Sequence, residues 1–259
     1  MPELEVVLSR GEQLFEPTTR RKFLKVLGVG GTVVMLPSMF TACKDDTGTN
    51  PSDTIYSLDL GSDTGILNYA YALEQLEAAY YTAALGSTGF AALSANEQEV
   101  LSDLQKHEVI HREFFKTALG GLAIPTLTFN ATTVGTLTAS ATVLLSTSQL
   151  LEDTGVSAYN GAGKYLTSAA NLLVAGKIVS VEARHAAAIR DIRDIRNGNT
   201  GRVFAGDDVV SAAGLDVKAE PSSVIASVNS LNVVVGTLAI STQPDATKKT
   251  ADAPAPQPT

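Results

Sequence analysis

The sequence predicts an all-α fold, a four-helix bundle with a long connection between its second and third helices, and three observations lead there. The chain of 259 residues is rich in Ala, Leu and Thr, has few aromatic residues and no Trp, a composition that suits a helical core better than a large β-sandwich. Apolar residues recur at three- and four-residue spacing in four separate stretches, the period of helices that bury one face. Those stretches come as two, then a loop of more than ten residues through Pro125, then two more. A long middle connection is what a bundle needs when its second and third helices run parallel.

The elements follow in order. Residues 44–62, KDDTGTNPSDTIYSLDLGS, are rich in Gly, Ser, Asp and Pro and are expected to form a flexible tether. Asp63 or Thr64 is placed to cap a first helix reaching about Leu85, closed by Gly86. Ser94 to Glu97 is a capping-box start for a second helix, which should end near Leu119 at Gly120-Gly121. A third helix is expected from about Thr136 to Tyr159, its Thr-rich start having poor helix propensity, and a fourth from about Lys164 to Arg196. The bundle thus occupies 63–200. Residues 201–240 form a mixed extension with a short helix after Pro221, and 241–259 read as a disordered Pro/Ala tail.

Charge and cysteine content exclude several classes of function. The net charge of −8 argues against a nucleic-acid partner, which needs a basic face. The single cysteine, Cys43, allows neither a disulfide framework nor a Cys-based metal site. Cys43 instead closes an address segment, residues 1–43. Arg20-Arg21 lie in T-R-R-K-F-L-K, which closely resembles the twin-arginine export motif. The apolar run from Val26 to Phe40 is shorter than the roughly 20 residues a membrane span requires. Phe40-Thr41-Ala42-Cys43 resembles a lipobox, although Phe40 replaces the usual Leu. The reading is an exported protein, periplasmic or anchored to the outer membrane through lipidated Cys43; the alternative is an uncleaved segment with no lipid.

The candidate site lies where acids interrupt apolar rows. The inward row of the first helix reads Leu67, Tyr71, Glu74, Ala78, Tyr81, Leu85, and that of the second Leu101, Leu104, Glu108, His111, Phe115, Ala118. The third gives Leu145, Glu152, Val156, Tyr159, and the fourth Ile178, Glu182, His185, Ile189, Ile192. A buried carboxylate costs several kcal/mol even after relaxation, and four together repel one another. Two divalent cations would cancel the charge of Glu74, Glu108, Glu152 and Glu182, with His111 and His185 as neutral ligands. A donor set rich in oxygen with one imidazole per metal suits iron or manganese better than structural zinc. The order E-x6-Y then E-x2-H occurs twice, Glu74 to Tyr81 with Glu108–His111, and Glu152 to Tyr159 with Glu182–His185. Each Tyr should lie two turns along the same face, beside the site, as a hydrogen-bond donor or a redox relay; packing in the core is the plainer reading of both.

His107 to His111, HEVIH, also matches the zinc-protease motif, but such a site needs a third protein ligand. No Asp, Glu or His occurs between Phe114 and Leu151, so that reading fails. His107 is expected to be a half-exposed helix residue or a partner of a ligand. Arg184, Arg190 and Arg193 with Asp191 and Asp194 read as a solvated helix face.

The stretches LNYAYALEQLEAAYY, KHEVIHREFF, LLEDTGVSAYNGA and VEARHAAAIR resemble the ferritin-like superfamily, and most closely exported ferritin-like proteins grouped with plant desiccation-related proteins. The resemblance implies a ferritin-like bundle with Glu74 and Glu152 as single ligands and Glu108–His111 and Glu182–His185 as paired ones. Glu77, one turn after Glu74, is the alternative ligand on the first helix or a group supporting it. The resemblance further implies a di-iron or di-manganese centre reacting with O₂ or peroxide, of ferroxidase or peroxide-scavenging type, in a stress setting. The competing reading is an envelope or desiccation-protective structural protein with at most a structural metal. A homo-oligomer is compatible with the chain, while the tether and tail argue against a closed storage shell.

Overall fold

The computed structural model describes residues 53–198 and 204–247; the address segment, with Arg20, Arg21 and Cys43, lies outside the described residues. The elements are β1 (Ile55–Asp59), α1 (Asp63–Ala84), α2 (Thr88–Ala91), α3 (Ala95–Leu119), α4 (Ala131–Leu137), α5 (Ala141–Ala162), α6 (Ala169–Arg196), α7 (Pro221–Ser230) and β2 (Thr237–Thr242). The long helices α1, α3, α5 and α6 form the bundle. α1 packs mainly on α3 and α5 mainly on α6, so two helical hairpins face each other.

Each long helix starts at a serine whose hydroxyl accepts a backbone N–H from the first turn: Ser62, Ser94, Ser140 and Ser168. The expected capping box of Ser94 and Glu97 is present. Three boundaries shift. Ser62, and not Asp63 or Thr64, caps α1. The Asp63 carboxylate instead accepts the backbone N–H groups of Thr167 and Ser168, the Thr167 hydroxyl and the Asn171 amide, tying the start of α1 to the start of α6. Burial works against its ionisation, but these hydrogen bonds outweigh that and hold its pKa below the usual value.

The segment 131–159, expected to be helical from Thr136 onward, is broken. Thr138 turns its hydroxyl back onto the Val134 carbonyl and Ser140 caps the next helix, so α4 and α5 are separate. The last helix begins at Ala169 and not near Lys164, because Ser168 takes the cap and the Lys164 and Tyr165 side chains turn aside to Glu220.

Two strands lie where none was expected. The described part of the supposed tether contains β1, which pairs in parallel with β2, Tyr56 opposite Leu238 and Leu58 opposite Ile240. The alternation of Tyr56, Leu58 and Leu60, all buried, gives this stretch an apolar face that a tether lacks. β2 also runs two residues into the stretch expected to be a disordered tail. The helix after Pro221 forms as α7, with the proline in its first turn.

α1 is buried nearly all round from Gly65 to Tyr81 because the crossover lies along its outer side. Asn68 binds both the Leu122 carbonyl and the Ile124 N–H, and Gln75 accepts the Leu127 N–H. The C-terminal segment then clips the crossover, with Val235 N–H donating to the Thr128 carbonyl and Asn130 N–H to the Val233 carbonyl.

The expected solvated face of α6 needs correction. Arg184 is exposed, but Arg190 and Asp194 are buried. Arg190 makes paired hydrogen bonds to Asp153 at 2.7 and 2.9 Å and to Asp208 at 2.8 and 3.0 Å, fixing the segment after α6 to the bundle. A guanidinium fork can satisfy two carboxylates at once, which makes its burial tolerable.

Candidate metal centre

Midway along the bundle the four long helices bring six predicted side chains to one point. Glu74 comes from α1, Glu108 and His111 from α3, Glu152 from α5, and Glu182 and His185 from α6. All four glutamates are fully buried and both histidines nearly so. The i to i+3 step between Glu and His sets both side chains on one face of α3 and likewise of α6.

The six form two overlapping groups, Glu74, Glu108, His111 and Glu182, and Glu108, Glu152, Glu182 and His185, each with its ligand atoms close enough to share one ion. Glu108 and Glu182 belong to both. His111 Nδ1 lies 2.7 Å from Glu182, 3.4 Å from Glu74 and 3.6 Å from Glu108. His185 Nδ1 lies 2.8 Å from Glu108, 3.3 Å from Glu152 and 3.4 Å from Glu182.

The polar atoms that face the centre are short of partners. Glu74 Oε2, Glu152 Oε2, both oxygens of Glu108 and of Glu182, and Nδ1 of each histidine are buried without a hydrogen-bond partner. Buried polar atoms are seldom left so. The remaining oxygens of the two outer glutamates are satisfied: Tyr81 donates to Glu152 Oε1 at 2.6 Å, and Tyr159 donates to Glu74 Oε1. Each outer carboxylate is thus held by a phenol on one oxygen and turns the other inward. The tyrosines work across the bundle, each serving the glutamate of the opposite hairpin. Burial pushes both phenols well above their usual pKa, with the nearby carboxylates adding to it, so both remain donors.

Protons carry the charge balance when no cation does. Burial raises Glu74 to about 8, helped by Glu182, and raises Glu152 to about 8 against the pull of His185. Burial also opposes charging of His185, but contacts with Glu108, Glu152 and Glu182 raise it to about 12; His111 is likewise raised by Glu108, Glu182 and Glu74. For Glu108 burial is outweighed by the two histidines, which hold it at about 2.

Glu77 stands outside both groups. It is buried beside the centre, and burial together with the charges of Glu108, Glu152, Glu182 and Glu74 drives its pKa well above normal, which favours the neutral acid. Its carboxyl sits against Gly155, where an added Cβ would stand 3.1 Å from Oε1. The glycine three residues after Glu152 was the sequence sign of that space.

His107 is exposed, yet its Nδ1 is 2.9 Å from His185 Nε2, and the two rings meet edge to edge, nearly parallel, with centroids 5.1 Å apart. It therefore contacts a ligand from outside. Its place beside Glu108 on α3 gave no hint of which histidine it would reach.

Four helices converging carboxylates and imidazoles on two overlapping buried groups, each able to hold a cation, define a class of helical bundle. The chain belongs to the ferritin-like domain family, which matches residues 62–194, just over half its length. The match runs from the cap of α1 into the last turn of α6, so it spans the whole bundle. No curated protein matches the chain.

Proposed function

We propose that this protein is an exported member of the ferritin-like family, akin to the desiccation-related group, whose bundle holds a carboxylate-bridged pair of iron or manganese ions and consumes O₂ or peroxide under stress. The observation that carries this reading is the set of inward carboxylate oxygens and imidazole nitrogens buried without hydrogen bonds. When bound, such a pair would supply electrons to, or accept them from, a small oxygen species. Glu108 and Glu182, shared by both groups, would bridge; Glu74 and Glu152 would each hold one ion; His111 and His185 would complete the set. Tyr81 and Tyr159 orient the outer carboxylates through their hydrogen bonds, and each would relay a proton to its carboxylate or an electron to an ion held there. The export part rests on Arg20-Arg21 and on Cys43 as a lipid anchor.

The test is metal analysis of protein exported by its own pathway, followed by O₂ and peroxide consumption. Wild type is expected to carry two iron or manganese ions. Glu108→Ala and Glu182→Ala should each lose both, because each residue serves both positions. Wild type without metal overturns the reading. Metal without turnover would leave a non-catalytic envelope protein with a structural site.

A further inference from the structure

We propose that His107 is a positioning residue that makes the two cation positions unequal, holding His185 so that the group of Glu108, Glu152, Glu182 and His185 is the tighter one. This rests on the dimetal reading above. His185 turns Nδ1 toward Glu108, Glu152 and Glu182 and Nε2 toward His107. To offer a lone pair on Nδ1, the neutral imidazole must carry its proton on Nε2, and that N–H donates to His107 Nδ1, 2.9 Å away. The rings lie within 13° of parallel, so the contact also fixes the plane of His185. An outer hydrogen bond of this kind sets the tautomer and basicity of a ligating histidine.

Among the described residues, no side chain serves the other imidazole in the same way. His111 makes its close contacts through Nδ1, and no hydrogen bond to a second ring nitrogen occurs among the described residues. The position before Glu182, which corresponds to His107 before Glu108, is Val181. The repeated motif is therefore supported on one side only. Loss of such a partner typically weakens metal binding by about 10- to 100-fold.

The experiment is calorimetric titration of metal-free, full-length protein with Mn(II). Wild type should bind in two resolved steps. His107→Phe, which keeps a flat ring but removes the acceptor, should weaken the tighter step by about 10- to 100-fold and leave the other in place. Glu152→Ala should abolish that same step, since Glu152 belongs only to the His185 group, and Glu74→Ala should abolish the other. His107→Gln, which restores an acceptor oxygen, should recover part of the loss. Two equal steps in wild type, no change in His107→Phe, or equal weakening of both steps would overturn the proposal. Wild type that binds no Mn(II) overturns the dimetal reading and this one with it, whereas the other outcomes leave the dimetal reading standing.

Discussion

The hairpin of α1 and α3 and the hairpin of α5 and α6 carry the same two steps, seven residues from Glu to Tyr and three from Glu to His, and three of the matching positions where they differ show how the halves diverge. After the first glutamate comes Gln75 in one and Asp153 in the other; three residues after it come Glu77 and Gly155; before the second glutamate come His107 and Val181. The shared residues all turn toward the centre, where two like cations would need like ligands. Each difference turns elsewhere. Gln75 holds the crossover, and Asp153, through Arg190, holds the segment after α6. Glu77 fills the space left at Gly155, and His107 reaches across to His185. The repeat is kept where chemistry requires symmetry and abandoned where each half meets different surroundings.

The largest effect should come from emptying the shared centre. A ligand at about 1,000 times its Kd stabilises by about 4 kcal/mol, so removing the two proposed cations should lower Tm markedly. The sign of the pH effect follows from the protons that replace them. Glu74 and Glu152, both raised to about 8, stabilise the metal-free fold fully below their unfolded pKa and lose that contribution as pH rises through 8. His111 and His185, both raised, act in the same direction at higher pH. Glu108, held at about 2, acts oppositely, but its change is complete below about pH 5. Calorimetry in chelator should therefore show Tm falling from pH 5 to 8, while the gap to the metal-loaded protein widens because binding releases protons. A metal-free Tm that is flat or rising over that range would break the symmetric-centre half of the comparison.

A smaller loss is expected at the outer anchor of the second hairpin. Arg190→Met leaves Asp153 facing an apolar side chain, whereas Asp208 is exposed enough to turn to water. Removing one partner of a buried pair costs about 3–5 kcal/mol, and the partial exposure of both acids reduces this to about 1–3 kcal/mol. Urea unfolding would measure it, and limited proteolysis should find residues 204–217 newly cleavable. Metal content should be unchanged; if it falls, the anchor and the centre are not separate devices.

What the sequence made legible divides along the same line. The periodic apolar rows located the four helices and put Glu74, Glu108, His111, Glu152, Glu182 and His185 on faces that meet inside the bundle, because a 3-4 spacing admits one geometry. Glu74 could be preferred to Glu77 only through Tyr81, two turns away. Yet Tyr81 bonds Glu152 and Tyr159 bonds Glu74, a crossed pairing set by how the hairpins face each other and not by either motif alone. Arg190 looked solvated because its partners are Asp153 on another helix and Asp208 beyond the bundle. β1 was hidden by the polar residues between Tyr56, Leu58 and Leu60, and by a partner strand nearly two hundred residues later. Contacts within one helix were readable; contacts between distant segments were not.

The finest test of the comparison is Gly155→Ala. In a helix, replacing Gly by Ala is worth about 0.5–1 kcal/mol by itself. Here the new Cβ would stand 3.1 Å from Glu77 Oε1, so the Glu77 carboxyl must shift within a buried site and the gain should vanish or reverse. In a Glu77→Ala background the obstacle is gone, and the same substitution should stabilise by about the intrinsic amount. The resulting coupling, about 1 kcal/mol by a double-mutant cycle in chemical denaturation, would show that Glu77 occupies the space its counterpart gave up. Equal stabilisation in both backgrounds would show that it does not, and the difference between the halves at this position would then have no packing origin.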